Sequence, residues 1–270
     1  MIEDALGPID YDESGSGPTL VLVPGSCSTG AAWRPTIAGW DGRFRSVTTS
    51  LLGYGGTAER RTPDDGSIDH EAAMLEAVVR RAGAPVHLVG HSFGGLVALT
   101  VALRGRVPLA SLVVMEPPGV ELLRTSGAAD AYQSFHRMTA DYFAAFEGGD
   151  TDAIAGMIDF YGGAGTFASW PQRVRDYAVR TTPVNILDWR SAYACTLSAA
   201  TLAAIAIPTL VVCGGTTHPA MRHLAALVAR SIPGAGLATI EGAAHFMIAT
   251  HAAASADLIA GHVRKAQAGL

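Results

Sequence analysis

The run Val86-His87-Leu88-Val89-Gly90-His91-Ser92-Phe93-Gly94-Gly95, continued by the apolar residues 96–103, constrains this chain more than any other stretch. Residues 86–89 read as a buried strand, and 96–103 read as a helix that is apolar all round. Between them lies the spacing G-x-S-x-G, from Gly90 to Gly94. A strand that turns at once into a helix brings the chain back against itself, so the positions two before and two after the serine must lack bulky side chains. The turn predicts a strained Ser92 whose hydroxyl stands above the sheet edge, where a base can reach it. Phe93 opens the helix, so its N–H has no intrahelical partner and points at the same space. Ser92 is therefore a candidate nucleophile and Phe93 a candidate backbone donor.

The rest of the chain supplies a sheet for that turn to sit in. Residues 19–23 are a buried strand stopped by Pro24-Gly25, and Trp33 beyond the loop is a packing residue. Further strands are predicted at 45–51, 112–115, 209–213 and 236–240. A helix over 68–82 carries the apolar stripe Ile68, Ala72, Leu75, Val78, Val79 and Ala82, with Glu71 and Arg80 assigned to the charged opposite face. Residues 251–264 read as a closing helix. Buried strands alternating with helices predict a mostly parallel central sheet covered on both faces. Residues 119–205 break the alternation, with helical patches at 131–146, 151–161, 172–180 and 184–194 and no convincing strand. The expected organisation is an α/β core over 1–118 and 206–270 with a helical lid over 119–205, lying across the carboxyl ends of the strands, where open α/β sheets bind ligands.

Charge and composition narrow the partners. At 270 residues and 49% hydrophobic, the chain can bury a large core. A formal net charge of −5 gives no support for nucleic-acid binding. The longest stretch free of charged side chains, 191–221, is interrupted by Pro208, Gly214 and Gly215 and fits a buried helix followed by a buried strand better than a membrane span. Three cysteines, Cys27, Cys195 and Cys213, form an odd count without metal-type spacing. With an acidic start that lacks an apolar signal core, they point to reduced thiols and a cytoplasmic setting. No metal cluster, phosphate loop or dinucleotide fingerprint is visible, so no cofactor is expected.

The lead-in Gly15-Ser16-Gly17-Pro18, the Gly90–Gly94 turn and the segment Glu241-Gly242-Ala243-Ala244-His245-Phe246 together resemble the α/β-hydrolase superfamily of serine hydrolases. The resemblance covers the sheet and leaves out the variable lid. It implies the α/β-hydrolase fold, with Ser92 as nucleophile and His245, just past the last strand, as its base. A free hydroxyl is barely nucleophilic near neutral pH, and an imidazole can take its proton and return it to the leaving group. The other histidines have plainer readings: His91 is common at its position in this turn, His70, His136, His223 and His262 lie on helices, and His251 starts one.

The acid departs from the usual pattern. Most such proteins carry an Asp in the turn after the strand that here is 209–213, but this chain reads Gly214-Gly215-Thr216-Thr217-His218-Pro219. Glu116, ending the strand after the Ser92 helix and followed by Pro117 and Pro118, is the expected replacement, with Asp188 in the lid as a second candidate. The resemblance places the oxyanion hole at the backbone N–H groups of Ser26 and Phe93, with Cys27 the neighbour of the first. Among the lid aromatics, Tyr161 and Trp189 are expected to reach the substrate, and the hydroxyls and thiol of Ser26, Cys27 and Ser28 could bond to it. The expected reaction is hydrolysis of a carboxylic ester or lactone of an apolar or aromatic small molecule through a Ser–His–Glu triad. Two alternatives stand beside it: C–C bond hydrolysis or a lyase reaction on the same fold, and a small-molecule receptor with little turnover, which the missing Asp would favour.

Overall fold

The computed structural model describes residues 1–4 and 7–269. Its strands are β1 (Ile2–Asp4), β2 (Gly7–Ile9), β3 (Asp12–Ser14), β4 (Thr19–Val23), β5 (Arg45–Thr48), β6 (Val86–His91), β7 (Leu109–Met115), β8 (Thr209–Gly214) and β9 (Gly236–Ile240). β1 and β2 pair as a small antiparallel sheet. The other seven form one sheet in the order β3-β5-β4-β6-β7-β8-β9, parallel throughout except for β3 at one edge. Helix α1 (Arg34–Ala38) follows a 3₁₀ turn, Gly30–Trp33, while α2 (Ile68–Ala82) and α3 (Phe93–Arg104) flank β6.

Each central strand sends alternate side chains into two cores, as the period of two in an extended chain requires. Val21, Val23, Leu88, Leu112 and Val114 join the core beneath α2 and α3. Leu20, Leu22, Val89, Val113 and Met115 join the opposite one, with Trp33 and Trp40. Burial on both faces explains why these strands read as unbroken apolar runs. All six residues of β6 are buried, so the strand that delivers Ser92 has no freedom to shift.

Between β7 and β8 the described residues contain only helices: α4 (Val120–Thr125), α5 (Ala129–Glu147), α6 (Ile154–Gly162), α7 (Thr166–Ser169), α8 (Gln172–Arg180), α9 (Thr182–Ala194) and α10 (Ala199–Leu202). α9 packs on α2, α3 and α4, and α5 packs on α11 (Pro219–Ser231), which follows β8. After β9 come α12 (Met247–Thr250) and α13 (Ala252–Gln267).

Several local expectations shift. β5 stops at Thr48, because the chain leaves the sheet there, although Leu51 and Leu52 stay buried in the loop. Before β8 the charge-free stretch holds the last turn of α9 and the one-turn α10, in which Leu202 alone is buried, rather than one buried helix. Glu71 does not lie on a solvated face: it is fully buried, 3.4 Å from the Arg61 guanidinium, with its carboxylate accepting the Leu52 N–H. Helical periodicity could not show this, because Arg61 arrives from a separate loop.

The turn at Ser92 is as tight as its glycines imply. A Cβ on Gly90 would lie 2.4 Å from the Gly94 carbonyl oxygen, and one on Gly94 would lie 2.2 Å from that of Pro24. We expect Gly90→Ala to lower stability by about 1–3 kcal/mol through backbone overpacking. Gly156→Ala, on an exposed position of α6 with open space around it, should gain roughly 0.5–1 kcal/mol of helix preference. Urea unfolding midpoints of the two variants check both signs.

Candidate active site

Five loops, after β4, β6, β7, β8 and β9, converge at the carboxyl end of the sheet. Ser92, directly after β6, has φ 53° and ψ −129°, a left-handed conformation that costs a non-glycine residue on the order of 1–3 kcal/mol. The turn is held by the Ser92 N–H donating to the Met115 carbonyl at 2.8 Å, which ties it to the end of β7. Glu116, the next residue after β7, is also left-handed at φ 49° and is fully buried. Its N–H donates to the Val212 carbonyl of β8 at 3.1 Å. Backbone hydrogen bonds thus fix where both residues leave the sheet.

The side chains then meet in a line. His245 Nε2 lies 2.9 Å from Ser92 Oγ, and its Nδ1 lies 2.6 Å from Glu116 Oε2. Glu116 also accepts the Gly214 N–H at 2.8 Å on Oε1 and the Thr217 hydroxyl at 3.0 Å on Oε2. Burial pushes this carboxyl up, but bonds from His245, Gly214 and Thr217 outweigh it and hold the group below its ordinary value. An ionised Glu116 requires the proton on Nδ1, which leaves Nε2 free to accept from the serine hydroxyl. That arrangement can draw a proton from Ser92 and hold it. Asp188, the second acid candidate, does not face His245: its carboxylate meets Ser26, Tyr54 and Arg61.

The Pro24–Gly25 loop closes onto the turn. A Cβ on Gly25 would come within 2.8 Å of Ser92 Cβ, so only glycine lets Ser26 follow so close to the nucleophile. The Ser26 hydroxyl donates to Asp188 at 2.5 Å and is committed there. Cys27 is left-handed, φ 56°, and burial with the nearby Asp188 charge pushes its thiol up to about 12. It is therefore a thiol, not a thiolate, at neutral pH.

A cavity of about 350 Å³ opens above Ser92 and takes in Ser26, Phe93, Tyr161, Trp189 and His245. Tyr161 stacks on the His245 ring, with centroids 4.1 Å apart, and Trp189 lies next to Tyr161 at 6.4 Å. Among the described residues, Asp188 is the only Asp, Glu, Lys or Arg along its wall. No group of described residues could hold a metal ion. No helix among them is long and apolar enough to cross a membrane.

Sequence reasoning missed two supports. His91 is buried and donates from Nε2 to the His245 carbonyl at 2.8 Å, bracing the loop that carries the base. Thr217 sits in the very turn from which the usual Asp is missing, and there it bonds Glu116 instead. A hydroxyl in a carboxylate-free turn was the available signal for Thr217. His91 gave none, because its partner is a backbone carbonyl 154 residues away.

Comparison with known proteins bears on the family and the fold. A family model described as the alpha/beta hydrolase family matches residues 20–258. The pimeloyl-(acyl-carrier protein) methyl ester esterase of Vibrio campbellii is 31% identical over 107 residues, which is 40% of this chain and 40% of that protein's length. Among solved structures, an alpha/beta hydrolase from Sphaerobacter thermophilus superposes with a TM-score of 0.69 at 26% identity, covering 94% of this chain and 98% of that one. A thermophilic esterase from Thermogutta terrifontis shares the fold with a TM-score of 0.72 at 22% identity, covering 97% and 96%.

Burial pushes His91 from 6.5 down to about 3, so the native ring stays neutral where an unfolded chain would take up a proton. Stability should therefore fall as pH drops from 6.5 towards 3, because the unfolded state binds the extra proton. His91→Gln should flatten that slope, as read from urea unfolding at several pH values across the interval.

Proposed function

The chain belongs to the alpha/beta hydrolase family, and from that membership we propose that it hydrolyses a carboxylic ester or lactone of a small apolar or aromatic molecule. The observation that carries the reading is the unbroken hydrogen-bonded line from Ser92 through His245 to a buried Glu116. Ser92 Oγ attacks the carbonyl carbon while His245 Nε2 takes its proton. The negative charge that develops on the carbonyl oxygen is met by the N–H groups of Ser26 and Phe93. His245 gives its proton to the leaving alcohol as the C–O bond breaks, and an acyl-enzyme on Ser92 remains. Water, deprotonated by His245, then releases the acid and restores the serine.

Glu116 fixes the imidazole tautomer and stabilises the imidazolium that forms during both steps. The empty Asp position after β8 would favour a receptor without turnover, but Glu116 offers the same oxygen to Nδ1 from the neighbouring strand. Residues 119–205 act as the lid over the core formed by 1–118 and 206–270, and Tyr161 and Trp189 bring its aromatic surface to the substrate. Among the described residues the cavity wall offers no Lys or Arg, so an uncharged acyl group is the better fit.

A fluorophosphonate probe tests the triad. Wild-type protein should be labelled at Ser92, identified by mass spectrometry, and Glu116→Gln should slow the labelling by about 10⁴-fold. Equal rates in the two proteins would reject Glu116 as the acid, and no labelling of the wild type would reject the hydrolase. A second expectation concerns selectivity. A neutral aryl butyrate should exceed the matching hemisuccinate ester in kcat/KM by at least about tenfold, since the hemisuccinate carboxylate gains no partner on desolvation.

A further inference from the structure

The wall of the cavity holds one feature that the proposed reaction does not use. Asp188 projects from α9 and is 2% exposed. Its Oδ2 takes the Ser26 hydroxyl at 2.5 Å and the Tyr54 hydroxyl at 2.7 Å, and its Oδ1 takes Arg61 Nη1 at 2.7 Å. Arg61, whose side chain is fully buried, is held in turn by Glu59 at 2.8 Å and by the Leu52 carbonyl at 3.3 Å, with Glu71 3.4 Å away. Burial raises the Asp188 carboxyl and Arg61 opposes that rise, so the ion pair is what lets a carboxylate exist here.

A buried carboxylate beside a site where negative charge develops is a liability unless it has a task. Its own charge opposes an oxyanion, and the Arg61 guanidinium is needed to offset it. What Asp188 gives in return is geometric. Ser26 belongs to the loop after β4, and Asp188 belongs to the helical segment 162 residues further on. That hydrogen bond therefore joins the lid to the loop after β4, next to a second contact from the Cys27 thiol to Thr181. Gly25 lies against the turn on one side of Ser26, and the tie to Asp188 holds the Ser26 side chain itself.

We propose that Asp188 is a positioning residue, which by accepting the Ser26 hydroxyl holds the Ser26 N–H at the oxyanion site and makes that site complete only when α9 is seated on the core. The inference rests on the hydrolase reading above. It also accounts for the residue pattern: the donor loop carries a hydroxyl at Ser26, the lid helix carries a carboxylate against it, and the core supplies the cation that makes the carboxylate tolerable.

The test is kcat and KM on a neutral aryl ester, normalised to Ser92 sites titrated to completion with fluorophosphonate, with a thermal melt of every protein. Ser26→Ala keeps the backbone N–H and removes only the tie. It should lower kcat about tenfold with KM nearly unchanged, less than the roughly 10²–10³-fold cost of deleting an oxyanion donor outright. Ser26→Thr restores a hydroxyl and should recover most of kcat. Asp188→Ala should match Ser26→Ala in kcat per titrated site, and the double variant should be no worse than the poorer single one, since both remove one interaction. A lower melting temperature with kcat per site unchanged in Ser26→Ala would overturn the positioning role and leave a purely structural tie. A wild type inert to ester and probe alike would overturn the hydrolase reading, and this inference with it.

Discussion

Glu116 is a carboxylate with no solvent exposure, at the end of a strand in the middle of the sheet. A lone charge in such a place would cost several kcal/mol, and the group would protonate instead. It stays ionised because three donors reach it from two other segments: Nδ1 of His245 after β9, and the Gly214 N–H and Thr217 hydroxyl after β8. Satisfying that charge fixes the relative position of three loops at the carboxyl end of the sheet. The imidazole is oriented as a by-product, with Nε2 left facing Ser92.

The strain in the region follows from the same demand. Ser92 and Glu116 both adopt left-handed backbone, and both are clamped by hydrogen bonds to the neighbouring strand. Such conformations persist only where the surroundings over-determine them. Here that means a sheet buried on both faces, whose strands cannot slide without moving their side chains between two separate cores. Rigid strands beneath and a network of charges above leave the loops little choice of position.

A second buried charge network, Asp188 with Arg61, Glu59 and Glu71, lies on the other side of the cavity. Burial pushes Glu71 up to about 8, and the Arg61 guanidinium pulls against that rise. Arg61 is the cation shared by Asp188 and Glu59. The two networks differ in what they join: the first ties strand ends within the core, and the second ties the helical segment to the loop after β4.

Much of this was legible in the residues. The apolar runs and the G-x-S-x-G spacing carry the parallel sheet and the turn at Ser92, because steric exclusion in a strand–helix reversal acts on a few neighbouring positions. The stripe over Ile68–Ala82 matches α2 from end to end, and His245 and Glu116 stand out from their places after apolar runs. Even the pairing of Glu116 with His245 could be anticipated, since the usual carboxylate position was empty. What only the tertiary structure decided is which distant groups meet. Glu71 looked solvated until Arg61 arrived from another loop, His91 found a backbone carbonyl, and Asp188 met Ser26 rather than His245. Periodicity and local sterics act over a few residues and leave their mark in the sequence. The compensation of buried charge depends on partners brought together by the whole fold, and a single chain of letters does not record who they are.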